Sequence, residues 1–387
     1  MTAPPAHPRT VVVTNDFPPR SGGIETYVAA LLARLDPDRL VVHACAPDGG
    51  GPGLREAAEH DARLPFRVVR DPDRTLLPSP ALAARVRRTV SAAAAEAVWF
   101  PSAAPLGLLG HAVRTAGVRR VVASAHGHEV WWARVPGSRA ALRRLGDAVD
   151  VVTFDSAVVR RPIATALSLA ARARTAQLRP GVDATRFRAT ERTGWRAPGA
   201  PVVLCLSRAV PRKGHGRLLA VWPEVRRRHP GARLLLAGGG PLVPRLRARA
   251  AQVPGAEVLG RVPDADLPGL YAAADVFVLP VADRLGGLVT ESLGIVLLEA
   301  AAAGLPVVAG RAGGTVEAVL DDRTGVLLDA RDPAALAAAV VDLLDDPGRA
   351  AAMGAAGASW VRRAWDWDVT AQRLAALLSG EPVPRWG

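Results

Sequence analysis

The segment Thr10-Val-Val-Val-Thr14 is a β-branched run, and the loop Asp16-Phe-Pro-Pro-Arg-Ser-Gly-Gly23 follows it. A helical pattern then begins at Ile24 and continues to Leu35. A short apolar strand, a glycine loop and a helix make up the first βα unit of a parallel sheet with both faces covered. The glycine loop is then expected at the carboxyl end of the strand, where folds of this kind bind ligands.

The same alternation continues along the chain. Further apolar runs are separated by Ala/Arg-rich helical stretches, and we expect strands at 40–45, 98–100, 121–125 and 149–154. Residues 189–200 have no periodicity, and a second series restarts at Pro201-Val-Val-Leu-Cys-Leu206. Its later strands are expected at 233–237, 257–259, 276–280, 306–309 and 326–328.

We therefore predict an α/β protein with two Rossmann-like, doubly wound domains that face each other across a cleft. A chain of 387 residues is long enough to give each domain its own core. The N-terminal domain is expected at 1–190 and the C-terminal domain at 201–370. The tryptophan-rich tail, 360–387, has a helical pattern, and we expect it to pack back across the hinge.

Composition excludes several classes of protein. Hydrophobic residues make up 49% of the chain, which excludes disorder, and no uninterrupted apolar run is long enough to span a membrane. The formal net charge is +13, but aromatic residues are only 4% and the arginines are scattered, so we expect no nucleic acid partner. With no visible leader, and with Cys45 and Cys205 in or near apolar runs, we expect a cytoplasmic protein with reduced core thiols.

Lys213 is the single lysine among 49 basic residues. It lies in the segment Leu206-Ser-Arg-Ala-Val-Pro-Arg-Lys-Gly-His215, between the first strand of the second domain and its first helix. Arg208 offers a planar fork, Lys213 a compact charge, and the helix start adds free N–H groups, which together suit a diphosphate. A solvated basic turn is the alternative.

Glu291 and Glu299 form the second candidate site, after the glycine pair Gly286-Gly287. On one helix they would lie about 80° apart around the axis and could bind sugar hydroxyls from one side. Alternatively, Glu291 caps the helix and Glu299 forms a salt bridge. Because Glu299 stands among leucines and alanines, its carboxylate needs a dedicated partner.

The segment His126-Gly-His128-Glu129 directly follows a predicted strand of the first domain, so its histidines are expected to point into the cleft. No neighbouring carboxylate or cysteine completes a metal site, and we expect no metal cofactor. Gly22 and Gly23 precede a helix and would let backbone amides approach an anion, although a tight turn is an equal alternative.

These features together resemble the retaining GT-B glycosyltransferases of family 4 over nearly the whole chain. The segments His126-Gly-His-Glu-Val-Trp-Trp132, Pro136-Gly-Ser-Arg139 and Gly310-x-x-Gly-Gly314-x-x-Glu317 are most similar to actinobacterial phosphatidylinositol mannosyltransferases of the PimB type. The glutamates form the E-x7-E motif of the family. Ser292 replaces the usual glycine, and Phe154-Asp155-Ser156 departs from the usual segment.

The resemblance implies a role for each candidate residue. Arg208 and Lys213 would hold the donor diphosphate, and Gly22 and Gly23 would approach the donor phosphate. Glu299 would contact the donor ribose and Val262 the base, while Glu291, with Gly294 and Ile295, would bind the sugar hydroxyls. His126 would lie beside the anomeric carbon, and His128 and Trp131 would lie on the acceptor side. The expected catalytic set is His126, Glu291, Arg208 and Lys213.

The implied activity is transfer of mannose from GDP-mannose to a lipid-linked acceptor such as a phosphatidylinositol mannoside, without a metal. A related transferase with a UDP- or GDP-sugar and a natural-product or other polar acceptor is the alternative. Arginines interspersed with apolar residues at 81–88 and 139–144, with Trp131 and Trp132 nearby, suit contact with an anionic membrane surface. Ordinary solvated helix faces explain the same pattern.

Overall fold

The computed structural model describes residues 4–20, 22–48, 50–188, 199–283 and 291–382. Contacts divide the chain into two compact units. The N-terminal unit comprises Met1–Gly181 together with Trp367–Gly387, and the C-terminal unit comprises Val182–Asp366. The chain therefore passes from one unit to the other twice.

The N-terminal unit is built on a seven-stranded parallel sheet with the order β3-β2-β1-β4-β5-β6-β7. Its strands are β1 (Thr10–Thr14), β2 (Leu40–Ala44), β3 (Arg67–Arg70), β4 (Ala97–Phe100), β5 (Arg120–Ala125), β6 (Val151–Phe154) and β7 (Thr175–Gln177). Val12 lies between Val42 and Trp99 in the register of the central strands. All three side chains are fully buried because apolar clusters cover both faces of the sheet.

Helices connect these strands, and several begin at residues suited to capping. They are α1 (Gly23–Leu32), α2 (Gly50–Asp61), α3 (Pro80–Ala92), α4 (Gly110–Arg114), α5 (Pro136–Ala148), α6 (Ala157–Ala164) and α7 (Leu169–Ala173). The hydroxyl of Ser79 accepts a hydrogen bond from the amide of Leu82 at the start of α3, and Ser156 caps α6 in the same way. These caps satisfy amides that would otherwise lack partners.

The C-terminal unit contains a six-stranded parallel sheet with the order β10-β9-β8-β11-β12-β13. Its strands are β8 (Val202–Leu206), β9 (Arg233–Ala237), β10 (Ala256–Gly260), β11 (Val276–Leu279), β12 (Val307–Gly310) and β13 (Gly325–Leu328). In both sheets the strand order reverses beside the first strand, between β1 and β4 and between β8 and β11. Ligands of such folds bind at the carboxyl ends of the strands at this reversal.

The remaining helices belong to both units. Those of the C-terminal unit are α8 (His215–Arg228), α9 (Val243–Ala250), α10 (Leu267–Ala272), α11 (Ile295–Ala302), α12 (Thr315–Ala318), α13 (Pro333–Asp345) and α14 (Pro347–Ala364). The last helix, α15 (Trp367–Ser379), buries Leu374 and Leu378 in the core of the N-terminal unit. Among the helices of the described ranges, none is both long and apolar enough to span a membrane.

The predicted fold class, two Rossmann-like units of the GT-B type, is confirmed, and the predicted strands agree with the observed ones within two residues. Two strands, β3 and β7, were not predicted. Arginines flank the two valines of β3, and β7 has only three residues. Both are edge strands, which pair on one side only and therefore need less apolar surface.

The unit boundaries differ from the expected ones at 190 and 370. The amide of Val182 donates to the carbonyl oxygen of Trp365 at 2.7 Å, and Phe187 is buried in the C-terminal core, so this segment belongs to the second unit. The expected tail, 360–387, is divided at Asp366, and the residues after it belong to the N-terminal unit. Most of the aperiodic segment, 189–198, lies outside the described residues.

The cysteines agree with the expectation of reduced core thiols. Cys45 and Cys205 are both buried and unpaired. Burial raises the pKa of Cys205 to about 12, so this thiol keeps its proton at neutral pH.

Gly181 provides a test of how closely the chain is packed at its first passage between the units. A Cβ atom there would lie 2.6 Å from both the backbone nitrogen and the Cα of Trp367. Because backbone cannot move aside as a flexible side chain can, we expect Gly181→Ala to lower the free energy of unfolding by about 1–3 kcal/mol in urea titrations. Gly137→Ala is the control, since nothing lies within 4 Å of its added Cβ. Equal stability of the two variants would contradict tight packing at Gly181.

Candidate active site

The loop that leaves β8 turns tightly against the end of β11. It forms a single 3₁₀ turn at Pro211–Lys213 and continues through Gly214, whose φ is +80°. A Cβ atom at Gly214 would lie 2.1 Å from the carbonyl oxygen of Pro280, just beyond β11. Only glycine fits this position, and the close approach fixes Lys213 where the strand order of the C-terminal sheet reverses.

Lys213 and Glu291 form a buried ion pair. Nζ of Lys213 lies 2.7 Å from Oε2 of Glu291, and Nε of Arg212 lies 3.6 Å from the same oxygen. The side chain of Glu291 is 7% exposed and that of Lys213 is 9% exposed. Each charge needs the other, because an unpaired charge at this depth is strongly unfavourable. Lys213 therefore does not lie in a solvated turn.

The backbone around Glu291 is held by the glycines that follow β12. The amide of Gly314 donates to the carbonyl oxygen of Glu291 at 2.7 Å. A Cβ atom at Gly314 would lie 1.8 Å from the carbonyl oxygen of Ser292, so a larger residue would push the segment away. The glycine pair at 286–287, noted in the sequence, lies outside the described residues.

The two glutamates of the E-x7-E pattern do not lie on one helix. Helix α11 begins at Ile295, after Gly294 with a φ of +82°, so Glu291 precedes the helix and does not cap it. The expected separation of about 80° around one helix axis is wrong, because a left-handed residue interrupts the backbone between the two carboxylates. Glu291 faces Lys213, whereas Glu299 projects from the second turn of α11.

Glu299 has the dedicated partner that its surroundings require. The hydroxyl of Tyr271 donates to Oε2 of Glu299 at 2.7 Å. Burial raises the pKa of Glu299 above its ordinary value, and the Tyr271 hydrogen bond and the charge of Arg186 only partly oppose this. Burial also raises the pKa of Tyr271 far above its ordinary value, so its hydroxyl remains a donor.

Gly294 and Ile295 form the opening of α11. Gly294 is its N-cap residue, and no side chain caps the helix. The first-turn amides of a helix have no partner within the helix and attract anions. The backbone at Ile295 is therefore suited to a phosphate or a sugar hydroxyl.

Arg208 and Val262 lie on loops that follow β8 and β10. The side chain of Arg208 is exposed and makes no hydrogen bond or ion pair with a residue in the described ranges. Val262 is half-buried in a loop fixed at Asp264. The guanidinium of Arg186 donates to the carbonyl oxygen of Asp264 at 2.6 Å and lies 2.8 Å from its carboxylate. The loop expected to meet the base is thus held in place, while Arg208 is free to reach a ligand.

His126 lies at the carboxyl end of β5 in the N-terminal unit. Its Nε2 is 2.7 Å from the carbonyl oxygen of Pro101, which can only accept, so Nε2 carries the proton and Nδ1 the lone pair. Burial lowers the pKa of His126, which keeps the ring neutral at pH 7. The ring packs edge-on against Tyr27, with centroids 4.8 Å apart.

Glu129 organises the turn that follows His126. Its carboxylate is fully buried, accepts from the amide of His126 at 3.1 Å and lies 3.2 Å from Nε2 of His128. His128 and Trp131 themselves are exposed. Of the two histidines, His126 is half-buried and His128 is exposed. In the described part of the chain, no three His, Cys, Asp or Glu side chains cluster to hold a metal ion.

Gly22 and Gly23 open α1 without a side-chain cap. The carbonyl oxygen of Gly22 accepts from the amide of Thr26 at 3.1 Å. A Cβ atom at Gly23 would meet nothing within 4 Å, and one at Gly22 would meet only the flexible carboxylate of Glu25. The first-turn amides are therefore open to an anion, but packing alone does not require glycine at either position.

Sequence reasoning missed four residues near these sites. Ser102 donates to the carboxylate of Asp16 at 2.6 Å and so joins the loops after β1 and β4. Both follow strands at the strand-order reversal, which is the signal that could have identified them. Arg186 has no comparable local signal. The chain contains two tyrosines, Tyr271 and Tyr27, and Tyr27 packs against His126. The rarity of tyrosine, like that of lysine, is a sequence signal that could have identified Tyr271.

Comparison with known proteins agrees with this arrangement. A model for Glycosyltransferase Family 4 matches residues 21–186, and a model for glycosyl transferases group 1 matches residues 200–346. The GDP-mannose-dependent alpha-(1-6)-phosphatidylinositol monomannoside mannosyltransferase of Mycolicibacterium smegmatis is 47% identical over 97% of this chain and 99% of that protein. In Corynebacterium glutamicum, the enzyme for the monoacylated monomannoside is 40% identical over 97% and 98%.

Solved structures give the same fold. The Anabaena protein HepE in complex with UDP and glucose has a TM-score of 0.74, at 20% identity over 96% of this chain and all of that one. The fold and the matched models define a glycosyltransferase. The chain belongs to the PimB-type phosphatidylinositol mannosyltransferases, within glycosyltransferase family 4.

Glu299→Gln tests whether the buried carboxylate destabilises the free protein. Because the pKa of Glu299 is raised on folding, the folded state binds the proton more tightly, and the negative charge destabilises the fold above a pH of about 4.3. Glutamine keeps an acceptor for Tyr271, so we expect Tm at pH 7 to rise by roughly 2–4 °C. The gain should disappear near pH 4.

The matched control is Glu59→Gln, at an exposed position of α2, which should leave Tm unchanged at both pH values. Thermal unfolding followed by circular dichroism measures all three proteins. A lower Tm for Glu299→Gln at pH 7 would show that the carboxylate is more stable in the fold than this burial indicates.

Proposed function

We propose that the chain transfers mannose from GDP-mannose to a phosphatidylinositol mannoside and forms an α-glycosidic bond. The observation that carries the proposal is identity of 40–47%, over nearly the full length, to mannosyltransferases with this donor and acceptor. The cationic Lys213 loop at the strand-order reversal suits a nucleoside diphosphate.

The donor is proposed to bind mainly to the C-terminal unit. Exposed Arg208 and the remaining donor positions of Lys213 contact the diphosphate, and the free amides at Gly294 and Ile295 add to this field. Glu299 accepts from the ribose hydroxyls, and the backbone near Val262 meets the base. Gly22 and Gly23 offer further amides from the N-terminal unit.

Catalysis follows from where charge develops. When the bond between the anomeric carbon and the diphosphate breaks, the leaving phosphate gains negative charge and the sugar gains oxocarbenium character. Lys213 and Arg208 stabilise the leaving group as that charge appears, which lowers the barrier more than it strengthens ground-state binding. Glu291 accepts from a sugar hydroxyl, and neutral His126 contacts the sugar at the anomeric centre. Retention is proposed from the family resemblance.

No metal is needed in this scheme. Arg208, Lys213 and the amides of α11 supply the positive field that a divalent ion supplies in other transferases. Activity is therefore expected to persist in excess EDTA.

The experiment is a donor comparison with purified protein and phosphatidylinositol monomannoside in vesicles. GDP-mannose, UDP-glucose and ADP-glucose are compared with and without EDTA, and lipid products are measured by mass spectrometry. We expect GDP-mannose to be preferred by more than about tenfold in kcat/KM, because base and sugar contacts discriminate together. Preference for a UDP-sugar, or transfer only to polar acceptors, would overturn the assignment in favour of the alternative transferase.

A lipid-linked acceptor requires access to a membrane, and we propose that the surface around α5 provides it. Trp131 and Val135 are exposed by 53% and 46%, and Arg143 and Arg144 lie on the exposed face of α5. Exposed apolar side chains flanked by arginines suit an anionic bilayer surface, to which each basic residue contributes about 1 kcal/mol. The protein would then contact the inner face of the cell membrane peripherally.

Vesicle sedimentation tests this surface. Arg143→Glu with Arg144→Glu should reduce binding to vesicles containing anionic phosphatidylinositol by at least tenfold, and salt should weaken wild-type binding. Arg362→Glu with Arg363→Glu makes the same charge change on α14 and should bind as the wild type does. Equal losses in both variants, or binding insensitive to salt, would refute this location.

A further inference from the structure

Tyr271 is fully buried in α10, and its hydroxyl has one short contact. It lies 2.7 Å from Oε2 of Glu299 and 3.4 Å from the carbonyl oxygen of Val296. A phenol has one proton to donate, and the shorter contact to a charged acceptor is the stronger one. The proton therefore points at Glu299.

The ring that carries this hydroxyl cannot shift easily. Phe187 packs edge-on against it at a centroid distance of 5.5 Å, and Phe277 of β11 lies 5.7 Å away. Arg186 covers Phe187, with its guanidinium carbon 5.1 Å from the ring centroid, and binds Asp264. Aromatic contacts on two sides thus hold the ring in place, and the hydroxyl is a donor with a fixed position.

The carboxylate of Glu299 is left with one free oxygen. Its Oε2 accepts from Tyr271, and no residue in the described ranges donates a hydrogen bond to Oε1. Glu299 lies in the second turn of α11, and no side chain caps the start of that helix. A vicinal diol binds best to a carboxylate whose orientation is already fixed, because no side-chain freedom is then lost on binding.

We propose that Tyr271 is a positioning residue for ribose recognition: its hydroxyl holds Glu299 in the orientation that accepts from the ribose hydroxyls of the donor. The inference rests on the proposed role of Glu299. Tyr271 itself does not touch the ligand. A merely structural tyrosine would affect all ligands equally, whereas a positioning tyrosine affects only ligands that carry the diol.

The test is calorimetric binding of GDP and 2′,3′-dideoxy-GDP to the full chain, as wild type and as Tyr271→Phe. The wild type should bind GDP about tenfold or more tightly than the dideoxy compound. In Tyr271→Phe, GDP affinity should fall about fivefold or more, while dideoxy-GDP affinity stays within twofold of the wild type. Tyr27→Phe, which removes the other buried tyrosine hydroxyl, should leave both affinities unchanged.

A second pair of variants secures the comparison. Glu299→Ala should remove the preference for the diol, and adding Tyr271→Phe to it should change neither affinity further. Equal losses for both nucleotides in Tyr271→Phe, or a wild type indifferent to the diol, would overturn the proposal. A different donor base would appear instead as a preference of the wild type for UDP, and the same ribose comparison is then made with UDP and its dideoxy form.

Discussion

The buried ion pair between Lys213 and Glu291 fixes two segments of the C-terminal unit against each other. It joins the loop after β8 to the segment before α11, and both are held by glycine contacts with backbone, at Gly214 and Gly314. Buried ion pairs seldom stabilise a fold more than apolar side chains of the same volume would. The pair holds two opposite charges in fixed positions, and preorganised charges of this kind are the basis of electrostatic stabilisation in enzymes.

The candidate site residues of the two units differ in charge. In the C-terminal unit, cationic side chains and open helix amides favour an anion. In the N-terminal unit, the burial that lowers the pKa of His126 leaves a neutral ring, and the Pro101 carbonyl fixes its tautomer. The buried carboxylate of Glu129 accepts a hydrogen bond from the backbone amide of His126 in the same turn. At the candidate sites, the C-terminal unit therefore presents the cations Lys213 and Arg208, whereas the N-terminal unit presents the uncharged ring of His126.

Much of this arrangement could be predicted from the sequence because the signals are local. Apolar β-branched runs marked the central strands, and a lone lysine marked the loop that holds the buried pair. What escaped prediction depends on tertiary contacts. Asp71 accepts a hydrogen bond from the amide of Asp73, and its carboxylate is also buried against His43 and Arg85. Those partners come from β2 and α3, and nothing in the spacing of the sequence indicates them. Tyr271 and Glu299 are likewise brought together only by the fold.

The last helix, α15, belongs to the N-terminal unit, and this determines the order in which the two units can fold. The C-terminal unit is one continuous segment, so it can fold as soon as it is synthesised. The N-terminal core is incomplete until α15 has been made, because Leu374 and Leu378 belong to it. The hydrogen bond between Val182 and Trp365 holds the two ends of the inserted unit together once that unit has folded. Joining α15 to the N-terminal core then costs only the entropy of closing a short loop, because the folded inserted unit no longer contributes its full chain length. The N-terminal unit is therefore synthesised first but completed last. Its completion is favourable because the folded C-terminal unit holds the two parts of the N-terminal chain close together.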